Sequence, residues 1–138
     1  MRRLAAALAA TLTLVPLAGP AATQAKPPLR EVSQIDDALL MVAIADDLRK
    51  TCDNIDARLI RAYSYLQKLK GIARDRGYSD EEIERYVTSK EEKARMEARG
   101  DAFLASRGVD RGDRSAYCTF GRQEIAKGSQ IGVLLRAR

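Results

Sequence analysis

IDDALLMVAIADDLRKTCDNIDARLIRAYSYLQKLKGIARDR, residues Ile35 to Arg76, decides the fold, because its apolar residues recur at helical spacing almost without interruption. Ile55, Leu59, Ala62, Leu66, Leu69 and Ala73 follow at alternating steps of four and three, which keeps them on one face and predicts a core-facing stripe. Ahead of them, Ile35, Ala38, Leu39, Val42, Ala45, Leu48 and Cys52 make a similar stripe, and Leu40, Met41 and Ile44 add apolar residues on the opposite side. A helix apolar nearly all round is one that others surround. Near Thr51-Cys52-Asp53-Asn54 the run kinks or restarts, with Asp53 placed to cap a second helix and Asp56 at its third position. Gly71 lies inside that second helix at a cost of up to ~1 kcal/mol relative to Ala, which predicts a tightened turn or a close backbone neighbour.

Upstream, Lys26-Pro27-Pro28 is an extended leader, since each proline fixes its own φ and biases the residue before it away from helix. Ser33 is placed to cap the first helix with Asp36 as the acidic partner of a capping box. The pairs Asp36-Asp37 and Asp46-Asp47 read as a solvated edge, because adjacent residues on a helix point about 100° apart and cannot share a metal. Downstream, Gly77 is a left-handed stop, and Ser79 with Glu82 announces the next helix, whose Ile83, Tyr86 and Val87 face inward. Ser89 with Glu92 starts another, Lys90 to Arg107, with Met96, Gly100, Phe103 and Leu104 buried, a close crossing at Gly100, and Gly108 as its stop. Asp110-Arg111-Gly112-Asp113 is a turn. A last helix runs from about Arg114 to Lys127 and stops at Gly128. The tail Ile131-Gly132-Val133-Leu134-Leu135 is too apolar to hang free and is expected to dock on the core, with attachment to another protein as its alternative.

Met1 to Ala25 reads as a signal peptide: Arg2 and Arg3 form the basic start, Leu4 to Leu17 the apolar middle, and small residues follow from Ala18. The apolar segment is shorter than the ~20 residues a spanning helix needs. Residues 26–138 then form a single helical domain, periplasmic or secreted, with no membrane span. Losing Arg2 and Arg3 lowers the formal charge from +5 to +3, and acids alternate with bases along the rest. Such a chain lacks the one-sided basic surface of a nucleic-acid binder, and it has no Trp for base stacking.

Cys52 and Cys118 are the only cysteines. An even count in an oxidising compartment favours a disulfide between them over a redox pair, whose thiols usually lie close in sequence. Closing so long a loop restricts the unfolded chain by roughly 4 kcal/mol. Histidine is absent, which removes the commonest general base and metal ligand. No calcium loop, P-loop or dinucleotide fingerprint is present, so no catalytic, cofactor or metal residues are assigned. Arg58, Arg61, Tyr63 and Tyr65 form a polar cluster of a kind that can recognise an anion, but the reading preferred has the tyrosines half-buried and the arginines paired with acids.

Pro28 to Val32, Cys52 with Arg58 and Arg61, Gly77-Tyr78-Ser79, Glu91 to Met96, and Cys118 with Gly121, Glu124, Ile125, Ser129, Ile131, Gly132, Leu134 and Leu135 together carry a family likeness. On these residues the chain resembles an uncharacterised family of small exported bacterial proteins, known only as a domain of unknown function. The resemblance implies export and a two-cysteine helical fold, with no activity or functional site attached.

The expectation is therefore an all-α bundle of four to five helices with one disulfide. Its leading function is non-enzymatic, an exported protein that binds another protein or maintains the cell envelope. A periplasmic acid-stress chaperone is the alternative, since protonating the 19 carboxylates would take the charge from +3 toward +22 and could open the helices. A hydrolase using two carboxylates comes last, and requires a pocket holding an acid whose pKa is raised by burial. The sequence names neither the partner nor the oligomeric state.

Overall fold

A computed structural model describes residues 25–138; the predicted signal peptide, apart from Ala25, lies outside the described residues. A 3-10 turn at Leu29–Glu31 leads into α1 (Ser33–Thr51), followed by β1 (Ile55–Ala57), α2 (Leu59–Asp75), α3 (Asp80–Thr88), α4 (Lys90–Ala105), α5 (Arg114–Lys127), a second 3-10 turn at Gly132–Leu134, and β2 (Leu135–Ala137). The described residues form an all-α bundle of five helices carrying one disulfide, Cys52 to Cys118, and one short two-stranded ladder.

The helix boundaries follow local chemistry. Ser79 accepts from the Glu82 amide while the Glu82 carboxylate returns to the Ser79 amide, closing the predicted capping box of α3. Ser89 caps α4 and Asp113 caps α5 through the amides of Glu92 and Ala116. Gly77, Gly108 and Gly128, the three predicted stops, all sit at positive φ. Ser33, by contrast, caps nothing. Val32 occupies the cap position with no side-chain bond, because Leu29 and Val32 are buried with Ile35, Ala73 and Tyr78 and carry the chain into the helix by packing.

The break after α1 is real and differs from the one expected. Asp53 does not cap a second helix; it is exposed and paired with Arg114. Ile55–Ala57 is extended and pairs antiparallel with Leu135–Ala137 in the register Ile55 to Ala137, Asp56 to Arg136 and Ala57 to Leu135. The apolar tail supplies that strand, and so docks as expected. Its Ile131, Leu134 and Leu135 are buried. Arg58 and Arg61, expected to pair with acids, instead donate to the Leu135 and Val133 carbonyls and hold the tail down.

α1 is the central helix, as its all-round apolarity predicts. Its Leu40, Ile44 and Leu48, at steps of four, are buried in the main core cluster with Leu104, Tyr117, Phe120 and the tail. Leu39 and Val42, placed on the core stripe by sequence, are only half-buried and face another way. Two glycines allow close packing around this helix. A Cβ at Gly121 would stand 2.8 Å from Leu48 Cδ2 and 2.7 Å from Ile55 Cδ1, and one at Gly100 would stand 2.9 Å from the Arg111 guanidinium, with Ile44 at 3.9 Å. Gly71 shows neither expected reason for its presence: nothing lies within 4 Å of where its Cβ would be.

Candidate functional site

The predicted core stripe is buried at its two ends and open in its middle, with Ile55 inside beside the tail. Leu69 and Ala73, late in α2, lie inside. Leu59 is 71 % exposed and Leu66 38 %, and with Ala62 they form one wall of an open trough. The facing wall is the end of α3, Tyr86 and Val87, with Met96 of α4; Val87, predicted to face inward, is 42 % exposed. Leu39, Val42 and Ala43 of α1 run along the bottom. The trough encloses about 720 Å³. Beside the lining residues, α2 also presents Ile60, 86 % exposed, and Tyr63, 65 % exposed where partial burial was expected.

This opening follows from how the elements are joined. α2 and α3 share the turn at Arg76–Ser79, and Arg74 pins the turn by donating to Asp80 at 2.7 and 2.8 Å. The trough lies toward the other ends of both helices, where the start of α2 and the end of α3 stand on either side of α1.

One side of the trough is fixed by an ionic cluster that the sequence reading had treated as a solvated edge. Asp36 is only 3 % exposed and accepts from Tyr86, Arg95 and Arg99, with Arg95 Nη1 at 3.1 Å. Burial alone would raise its pKa, but the bonds from Arg95 and Tyr86 and the charges of Arg95 and Arg99 outweigh burial and hold it low. Tyr86 is pushed up in turn, by burial first and then by Asp36. Glu92 is also held low against burial, bonded to Arg95 and to Arg30 from the start of the described chain. A second polar group sits where α1 meets α5: Tyr117 donates to Asp47 at 2.8 Å, and Arg111 reaches Asp101 at 3.1 Å while its buried Nε, with no hydrogen bond, stands 3.7 Å from the Asp47 carboxylate.

The trough's lining is largely apolar, with charged side chains from α1 and α4 at its margins. Asp46 and Glu92 lie on its lining; burial pushes both up, and their basic partners, Lys50 and Arg49 for Asp46 and Arg95 and Arg30 for Glu92, bring them below the ordinary range. Among the described residues no group of three or more His, Cys, Asp or Glu could hold a metal ion, and no helix is long and apolar enough to cross a membrane. Cys52 and Cys118, the residues singled out by sequence, are bonded with their Cα atoms 5.7 Å apart, are buried between α1 and α5, and do not line the trough. The signal for the trough was present in the spacing of Leu59, Ala62 and Leu66, but spacing does not say whether a face has a neighbour.

Residues 27–136 match the family model described as a family of unknown function, DUF5333. Comparison with curated proteins and with solved structures finds no match.

Proposed function

The chain belongs to this family of unknown function, and from that premise we propose that it is an exported, non-enzymatic helical protein that binds another protein through the trough between α2 and the α3–α4 pair. The observation that carries the reading is the exposure of Leu59, Leu66 and Val87 on facing walls, at spacing that belongs to a buried surface. Export rests on the signal-like start and on a disulfide suited to an oxidising compartment, periplasmic or extracellular.

A photo-crosslinking amino acid at Leu66 tests the binding reading in cells. One saturable adduct is expected, absent when the crosslinker is moved to exposed Arg122 on α5; equal labelling from both positions, or none from either, would remove it. Cell fractionation with N-terminal sequencing tests export, and retention in the cytoplasm with Met1 intact would defeat it.

One observation favours a second reading, the acid-stress chaperone. Asp36 and Glu92 join α1 and the segment before it to α3 and α4, and both must stay ionised to do so. Acid would release these contacts while the disulfide persisted. Dye binding and protection of a model client that stay flat from neutral pH to about 3 would end this reading. The hydrolase reading has the least support, since the displaced lining carboxyls are both held low and a general acid needs a raised one.

A further inference from the structure

Resting on the trough as a protein-binding surface, we infer that its occupant is the first half of α2 from a second copy of this chain, so that two copies join about a two-fold axis with antiparallel α2 helices. Shape is the first reason. α1 lines the trough from Leu39 to Lys50, about 16 Å at 1.5 Å per residue, and half of a 10 Å-wide helix of that length fills roughly 600 Å³. The trough volume of about 720 Å³ is that of a half-sunk helix of about three turns.

The second reason is that the chain carries both halves of the joint. Leu59 and Leu66 wall the trough, while Tyr63 and Ile60 stand on the adjoining outer side of the same helix. A rotation that places one copy's Tyr63 ridge over the other's trough does the reverse at the same time, which is what a self-complementary two-fold contact requires.

Area is the third. At roughly 150–250 Å² for a fully exposed large side chain, the exposed fractions of Leu59, Ile60, Tyr63, Leu66 and Val87 leave on the order of 500 Å² of apolar surface in water. A standard interface buries about 800 Å² per partner, and homodimer interfaces are about 65 % apolar, so one such patch supplies the apolar share.

Sedimentation velocity on the protein expressed from its full-length sequence and purified without denaturant tests this, over about 1 to 100 µM. The expected result is a dimer throughout most of that range, with Tyr63→Glu raising the dissociation constant at least tenfold and Arg122→Glu leaving it unchanged. Far-UV circular dichroism checks that Tyr63→Glu is folded. Should it not be, mixing Tyr63→Cys and Val87→Cys chains with a short bis-maleimide gives an independent readout, a covalent pair expected only in the mixture. A monomer at the highest concentration overturns the inference, as does a dimer that survives Tyr63→Glu and gives no such pair. If the monomer still yields one saturable adduct to a different protein from Leu66, the second copy is excluded and the binding reading stands; a monomer with no adduct removes both.

Discussion

Asp36 of α1 and Arg95 of α4 lie 59 positions apart in sequence, yet two guanidinium nitrogens of Arg95 donate to the two oxygens of Asp36. This bidentate pair, shared with Arg99 and Tyr86, is what orients the α3–α4 pair against the central helix. Removing the carboxylate leaves two arginines facing apolar packing, although both keep some contact with water. Asp36→Ala is expected to lower stability by about 2–4 kcal/mol and Tyr86→Phe by about 1 kcal/mol, read from urea unfolding. A change under a few tenths of a kcal/mol for Asp36→Ala would mean the cluster is ornamental.

The same carboxylate sets an acid limit. Asp36, Asp46, Glu92 and Glu124 are all held below their ordinary pKa in the folded protein. A depressed pKa contributes stability that is fully present above the unfolded value near 4 and is lost as pH falls through the folded value. The melting temperature is therefore expected to stay level from pH 7 to about 5 and to fall below about 4, with Asp36→Asn giving a shallower fall. Equal slopes in the two proteins would show that Asp36 does not carry the effect.

Cys52 and Cys118 join the end of α1 to α5 and both are buried. Replacing both with Ala is expected to cost roughly 4 kcal/mol in urea unfolding through the freedom returned to the unfolded chain. Burial also predicts that dithiothreitol reduces the bond slowly in buffer and rapidly in denaturant. Fast reduction of the folded protein would contradict the packing described here.

Two glycines give a test by opposite signs. Gly71 sits mid-helix with open space where its Cβ would be, so Gly71→Ala is expected to add about 0.5–1 kcal/mol. At Gly121 the same change drives a methyl group into Leu48 and Ile55 and is expected to remove about 1–3 kcal/mol. Paired thermal melts of the two variants decide it, and a matching sign would refute the account of both sites.

Much of this was legible in the residues because it is local. The capping box at Ser79, the glycine stops and the apolar tail each depend on neighbours a few positions away or on gross hydrophobicity. What failed to read was long-range. Asp36 looked like half of a surface pair until Arg95 and Arg99, some sixty positions on, proved to face it. Ile55–Ala57 carries no strand pattern of its own, and three residues become a strand only because the end of the chain lies alongside. Leu59, Ala62 and Leu66 have core periodicity, and periodicity records which side a residue is on without recording what covers it.

The pairing of β1 with β2 also bears on the order of assembly. Ile131, Leu134 and Leu135 close the core beside Ile55, and the ladder runs from Ile55–Ala137 to Ala57–Leu135. Until this segment reaches β1, α1 has nothing to shut one of its sides, and the chain remains open to proteases, to holding factors and to any machinery that handles unfolded polypeptide. Two strands of three residues thus act as the clasp that turns a set of helices into a closed core.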